Sequence, residues 1–262
     1  MLSKKVVVIT GGAGRIGSVF AKTIVENGGI AIIADVNEDL ANKTIYKISN
    51  ELKKKIEDIS SKIIFLNVDI SSNSSILNLI NFLNQKFGRI DALVNNAYPK
   101  SKNYGRKFFE IDIDDFNEFL NLHLGGYFNI SQQFIKYFLK QNQGNIINIA
   151  SIQGIVAPAF ETYEGTSMHS PVEYTVVKHG LIGMTRYMAK MFKKDGIRVN
   201  AISPGGILDN QSPIFLDQYK KKCGTKGMLD AIDITGALLY LLSDNSKYVN
   251  GQNIVVDDGF SL

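Results

Sequence analysis

Apolar positions fall along the chain in two alternating textures. Short runs at 5–9 (KVVVI), 30–34 (IAIIA), 62–68 (KIIFLNV), 91–95 (DALVN), 145–150 (NIINIA), 197–202 (IRVNAI) and 253–256 (NIVV) are rich in β-branched residues with little polar alternation. That texture suits strands covered on both faces of a parallel sheet. Between them lie longer stretches, 15–27, 38–57, 74–87, 114–139, 171–194 and 229–242, in which apolar residues recur at helical spacing. The alternation predicts an α/β fold: a doubly wound, mostly parallel seven-stranded sheet with helices on both faces.

No internal repeat, low-complexity tract or Pro/Gly/Ser-rich linker divides the chain, so residues 1–262 are expected to form one domain. The irregular pieces, at about 98–112, 153–170 and 205–227, each follow the carboxyl end of a strand, where open α/β sheets bind ligands. Loops of that length in a compact domain are more often functional than ornamental. A hydrophobic content of 45% suffices for a large core.

The 29 basic and 25 acidic side chains are interspersed, giving a net charge of +4, and the lysine runs at 53–55 and 220–222 read as solvated faces. No nucleic-acid partner is therefore expected. One cysteine, Cys223, excludes an internal disulfide and a cysteine-rich metal site and fits a reducing compartment. No metal is expected. Neither a secretory leader pattern nor an apolar run of the roughly 20 residues needed to cross a bilayer is visible, so a cytoplasmic location without a membrane partner is expected.

The first strand runs into TGGAGRIG, in which Gly12, Gly14 and Gly17 form G-x-G-x-x-G at the entrance to a helix. Glycines there let the backbone turn tightly and approach a pyrophosphate, whose charge meets the free N–H groups of the helix. Asp35, at the end of the second strand, can accept hydrogen bonds from both adenosine ribose hydroxyls and would repel a 2′-phosphate. NAD is thus favoured over NADP, although Asp35 can also be read as a helix cap and Arg15 could pair with a phosphate of either.

Two tyrosines compete for the role of proton carrier. Tyr174 has Lys178 at i+4 on a predicted helix, whereas Tyr163 has Ser167 there. A neighbouring ammonium favours phenolate over phenol and lowers a free pKa of about 10. Tyr174 gains that help and Tyr163 does not.

TGGAGRIG, VDI at 68–70, NNA at 95–97, NIASIQG at 148–154, YTVVK at 174–178, RVNAISPGG at 198–206 and NGQNIVVDDG at 250–259 stand in this order. In these motifs the chain resembles the short-chain dehydrogenase/reductase family over nearly its whole length. The resemblance implies a Rossmann fold. It also implies cofactor contacts at Gly11, Gly12, Gly14, Arg15, Ile16, Gly17, Asp35, Asp69, Ile70, Asn96, Ala97, Tyr174, Lys178, Pro204, Gly205 and Ile207. Ser151 is implied to bond the substrate oxygen, Tyr174 to give or take its proton, and Lys178 to hold the nicotinamide ribose and acidify the tyrosine. A homodimer or homotetramer is implied, with the helices at 114–139 and 171–194 on a two-fold interface.

The chain departs from the family pattern at several places. Ser151 and Tyr174 stand further apart than usual, which marks 161–170 (ETYEGTSMHS) as an insertion and puts Tyr163 in the substrate pocket. Arg15 replaces a glycine, Tyr98 replaces the glycine after NNA, and Asp209 falls near where a threonine often meets the carboxamide. His123 stands where an asparagine usually serves the proton relay; a histidine with a free pKa near 6.5 would make the relay depend on pH, or it is simply a packed residue.

The insertion is rich in hydrogen-bonding side chains, which suits a small polar, polyhydroxylated substrate. Lys100, Lys102, Arg106 and Lys107 either receive an anionic group or form solvated surface or a subunit contact. The stretch 207–222 reads as a mobile lid. The insertion's EGTSM text also resembles members found in bacterial surface-polysaccharide and amino-sugar pathways, implying alcohol–ketone chemistry on a sugar or sugar phosphate. A 3-oxoacyl thioester reductase and a non-catalytic cofactor-sensing protein are the alternatives.

Overall fold

A computed structural model describes residues 1–262. Seven strands form: β1 (Val6–Thr10), β2 (Ile30–Asp35), β3 (Ile63–Asn67), β4 (Ala92–Asn95), β5 (Gly144–Ile149), β6 (Ile197–Pro204) and β7 (Asn253–Val256). They make one sheet in the order β3-β2-β1-β4-β5-β6-β7, and every pairing is parallel. Successive crossovers run from β1 out to β3 on one side and from β4 out to β7 on the other. The direction therefore reverses between β1 and β4, and a crevice opens there beyond the strands' carboxyl ends.

The helices are α1 (Arg15–Glu26), α2 (Glu38–Glu51), α3 (Ile56–Ile59), α4 (Asn73–Phe87), α5 (Ile113–Leu120), α6 (Gly126–Gln141), α7 (Val172–Met191), α8 (Pro213–Lys220) and α9 (Thr235–Leu242). Because side chains alternate along a strand, β1 feeds two layers. Val6 and Val8 pack with Ile80, Phe134 and Leu181 of α4, α6 and α7. Val7 and Ile9 pack on the opposite side with Phe20, Ile24, Ala41 and Leu238 of α1, α2 and α9. No helix is long and apolar enough to cross a membrane.

Four stretches differ from the sequence expectation. The helix expected over 38–57 stops at Glu51: Lys53 takes the left-handed conformation at φ 52°, and Lys54 N–H closes back onto the Ser49 carbonyl at 3.0 Å. The helix expected over 114–139 runs from Ile113 to Gln141 but widens to a π turn at Asn121–Gly125. The stretch 229–242 begins with a bridge of Leu229 to Ile207 and a 3₁₀ turn at Ala231–Ile234, leaving α9 to start at Thr235. Within 205–227 there is an unexpected helix, α8, whose start is marked by Ser212, with its hydroxyl accepting from Phe215 N–H at 3.2 Å, and by Pro213 in the first turn.

Candidate active site

The carboxyl ends of β1, β2, β4, β5 and β6 surround one cavity of about 760 Å³. Its cofactor-side wall begins at the glycine-rich turn. Gly11 takes φ +60°, and a Cβ there would lie 2.7 Å from Ala97 Cα, so β1 and β4 approach closely only because the side chain is absent. Asn96 fastens the two strand ends, its amide donating to the carbonyls of Thr10 at 3.0 Å and Gly11 at 3.1 Å. Helix α1 starts at Gly14 with no side-chain cap and no acidic residue in its first turn, leaving N–H groups and positive dipole for an anion.

Gly11, Gly14, Arg15, Ile16, Asp35, Asp69, Ile70, Asn96, Ala97, Pro204, Gly205 and Ile207 all line the cavity. Gly12 and Gly17, expected among the cofactor contacts, do not. A Cβ on Gly17 would stand 2.3 Å from the Gly11 carbonyl, and one on Gly12 2.8 Å from the Ile9 carbonyl. These two shape the turn from beneath. Asp35 accepts Ala13 N–H and Asn37 N–H, each at 3.1 Å, so its carboxylate is fixed beside the turn. Arg15 reaches across the groove to the Leu208 carbonyl and the Asp209 carboxylate.

Ser151, at the end of β5, and Tyr174 and Lys178, one helical turn apart on α7, come together on the same wall. Lys178 is 4% exposed, donates to the Ile149 carbonyl at 3.0 Å, and has its ammonium 5.4 Å from the Tyr174 ring centre. Burial pushes the Lys178 pKa down to about 7. Burial likewise pushes Tyr174 upward, opposed by its hydrogen-bonding neighbour Ser151. The expected acidification of Tyr174 by Lys178 is therefore outweighed, because desolvation penalises both charged forms.

His123 is completely buried in the π turn, with its ring centre 5.1 Å from those of both Tyr98 and Tyr127, and neither ring nitrogen has a hydrogen-bond partner. It does not reach the cavity wall. Burial, aided by the charge of Lys178, drives its pKa well below the ordinary value, so the expectation of a relay titrating near neutrality is not met. Tyr98 stands between His123 and the cavity, with its ring edge-on to Tyr174 at 5.8 Å.

The substrate side is walled by Tyr98, Tyr104, Val156, Pro158, Tyr163, Met168, Phe215, Tyr219, Met228 and Phe260. Of the insertion, Thr162, Tyr163, Met168, His169 and Ser170 face the cavity, whereas Glu161 pairs outward with Lys222 at 2.5 Å. Tyr163 packs on Phe215 of α8 at 5.0 Å between ring centres and carries no lysine partner. Lys100, Lys102, Arg106 and Lys107 do not line the cavity. Arg106 is engaged by Asp115 at 2.7 Å, and the Lys100 ammonium sits 5.5 Å from the Tyr98 ring centre. Sequence reasoning gave no role to Gln153 or to the Tyr219–Phe260 stack, whose ring centres are 4.2 Å apart. Gln153 could have been noticed two residues beyond Ser151; nothing local signals that the C-terminal tail returns to the site.

A glycine-rich phosphate turn, a serine–tyrosine–lysine cluster and the crevice between them define a dinucleotide-dependent oxidoreductase. The family model described as Enoyl-(Acyl carrier protein) reductase matches residues 11–261. Post-translational flagellin modification protein A of Campylobacter coli is 46% identical, with 100% of both chains covered. The 7alpha-hydroxysteroid dehydrogenase of Bacteroides fragilis is 31% identical over 98% of this chain and 95% of that protein. Among solved structures, a short chain dehydrogenase from Leptospira borgpetersenii with bound NAD+ superposes with a TM-score of 0.85 at 29% identity, covering 100% of this chain and 94% of that one. The chain belongs to the short-chain dehydrogenase/reductase family, NAD(P)-dependent oxidoreductases acting on CH–OH groups.

Proposed function

We propose that the protein interconverts a secondary alcohol and a ketone on a sugar or sugar-phosphate-like substrate of surface-glycan biosynthesis, with NAD as the favoured cofactor. The observation that carries the reaction is the convergence of Ser151, Tyr174 and Lys178 on the cavity that also receives Gly14, Asp35 and the start of α1. The close-packed turn and uncapped helix fit a pyrophosphate, and the fixed Asp35 carboxylate fits an unphosphorylated ribose. A nicotinamide cofactor bound there supplies or accepts the hydride. Ser151 holds the substrate oxygen, and Tyr174 donates its phenolic proton to that oxygen in reduction or takes it in oxidation. Lys178, anchored on the Ile149 carbonyl, holds the nicotinamide ribose and places positive charge beside the phenol.

The glycan context rests on the 46% identity to the flagellin modification protein over the full length of both chains. The apolar walls at Val156, Phe215, Met228 and Phe260, with the family model's description, favour a second reading, a reductase of acyl thioesters. Purified protein incubated with NAD(P)H or NAD(P)+ and a panel of free, phosphorylated and nucleotide-linked sugars, with acetoacetyl-CoA alongside, separates the two by absorbance of the reduced nicotinamide. Turnover confined to acetoacetyl-CoA would replace the sugar reading.

We further infer a cytoplasmic homodimer or homotetramer. On α7, Val176, Tyr187 and Met191 lie exposed on one helical stripe with Gly180 and Met184, next to the buried Val177, Leu181 and Met188. Gly180 and Met184 share a shallow groove with Leu120, Leu124 and Phe128 of the neighbouring helices. The apolar arc is thus wider than the part that is buried, and its exposed flank is left for a further contact.

A further inference from the structure

The insertion and the segment after Ser151 meet in a polar cluster within the otherwise apolar substrate wall. Gln153 lies two residues beyond Ser151, and its backbone N–H donates to the Ser151 hydroxyl oxygen at 3.2 Å, so the amide is built onto the reacting centre. Its side-chain carbonyl accepts two hydroxyl donors, Ser170 at 2.8 Å and Thr175 at 3.0 Å. Ser170 comes from the insertion, and Thr175 adjoins Tyr174 on α7. A carboxamide has two acceptor lone pairs and two N–H donors, so two hydroxyls fill the carbonyl and leave the amino group as the free side. Tyr163, also from the insertion, has its hydroxyl beside both Ser170 and Gln153 and can take one of those N–H groups. Gln153, Tyr163 and Ser170 all line the cavity, among Val156, Pro158 and Phe215.

We propose that Gln153 is a specificity-determining residue whose side-chain N–H donates to a substrate oxygen neighbouring the reacting carbon, so that the site selects α-hydroxy ketones and vicinal diols. The proposal rests on the alcohol–ketone reading of the site and names the substrate class for it. Ser170 and Thr175 act as positioning residues that fix which end of the amide faces the cavity. The insertion thereby has a chemical purpose: it delivers the hydroxyl that orients a donor next to Ser151. An N–H held among apolar side chains favours a ligand that can accept from it and discriminates against one that cannot.

The test compares 2-hydroxycyclohexanone with cyclohexanone as substrates for NADH- and NADPH-linked reduction. A second arm measures calorimetric binding of trans-cyclohexane-1,2-diol and cyclohexanol to the protein–NAD+ complex, which needs no turnover. In both arms the hydroxyl-bearing member should be preferred by at least about tenfold, the range of one directed hydrogen bond. Gln153→Leu and Gln153→Glu should lose that preference. The carboxylate of Gln153→Glu keeps the acceptor for Ser170 and Thr175 while removing the donor, so an unchanged melting temperature in that variant separates lost donation from misfolding. No preference in the unmodified protein in the calorimetric arm, or a preference that survives in both variants, would overturn the proposal. Failure of every sugar in the turnover panel bears on the proposed function and leaves the calorimetric comparison to decide this one.

Discussion

Burial acts on Tyr174 and Lys178 in opposite directions, raising the phenol and bringing the ammonium down to about 7. Lys178 is therefore charged below about pH 7 and neutral above it. Ketone reduction uses the protonated phenol, which persists across neutral pH, and the ammonium, which does not. The reductive kcat/KM should hold steady at acidic pH and decline above about 7, whereas alcohol oxidation, which needs Tyr174 to accept a proton, should rise with pH. The same shift is linked to stability. The folded pKa lies below the ordinary 10.5, so between about 7 and 10.5 the unfolded chain holds a proton that the folded chain has released. Stability from this group rises with pH across that window, and the full cost falls below about 7. Lys178→Met should abolish turnover yet raise the melting temperature, most at acidic pH; a variant less stable than the parent at pH 6 would contradict the burial argument. His123, held neutral, should contribute no inflection, and His123→Asn should leave the shape of the pH profile as it was. The choice between the tyrosines was legible because an i, i+4 pair is a local property; the ionisation was not, since it depends on what seals the site.

Helix α8, within the stretch expected to act as a mobile lid, is joined to the insertion at several points. Helix α8 is tied to the insertion by Lys222–Glu161 at 2.5 Å, by Gln218 donating to the Glu164 carbonyl at 3.1 Å, and by Phe215 against Tyr163 at 5.0 Å. Deleting 161–170 removes that support together with the groups around Gln153, so kcat should fall on the order of 10²-fold, more than KM rises. Changing Lys100 and Lys102 together to Ala should leave KM and its salt dependence unaltered, because neither lines the cavity; a salt-sensitive rise in KM would return them to the substrate site. All seven strands were legible, since strands buried on both faces read as continuous apolar runs. Helix α8 was hidden by its length, only eight residues within a long irregular stretch, although Ser212-Pro213 announced its start. The π turn holding His123 has no local signature, and Arg15 meets Asp209 across 194 residues, a pairing that only the fold creates.

On the scale of the whole molecule, a reversal of strand order between β1 and β4 places the dinucleotide turn, the Ser151–Tyr174–Lys178 cluster and the insertion around one crevice. The exposed stripe of α7 lies on the other side of the helix that carries Tyr174 and Lys178. Self-association through it should stiffen the site, and light scattering at micromolar concentration should give a dimer or tetramer; a monomer would remove that face from the account. Asp35 predicts tighter binding of NAD than of NADP, and Asp35→Ala should narrow the difference in a fluorescence titration. The central claim is that this crevice performs alcohol–ketone chemistry through Tyr174. It is tested most directly by following reduced-nicotinamide absorbance with the best sugar of the panel for the parent protein, Tyr174→Phe and Tyr163→Phe, each shown by titration to bind cofactor. Tyr174→Phe should lose on the order of 10² to 10⁴ in kcat with cofactor affinity retained, and Tyr163→Phe far less. Equal losses in the two variants, or full turnover in Tyr174→Phe, would contradict the account.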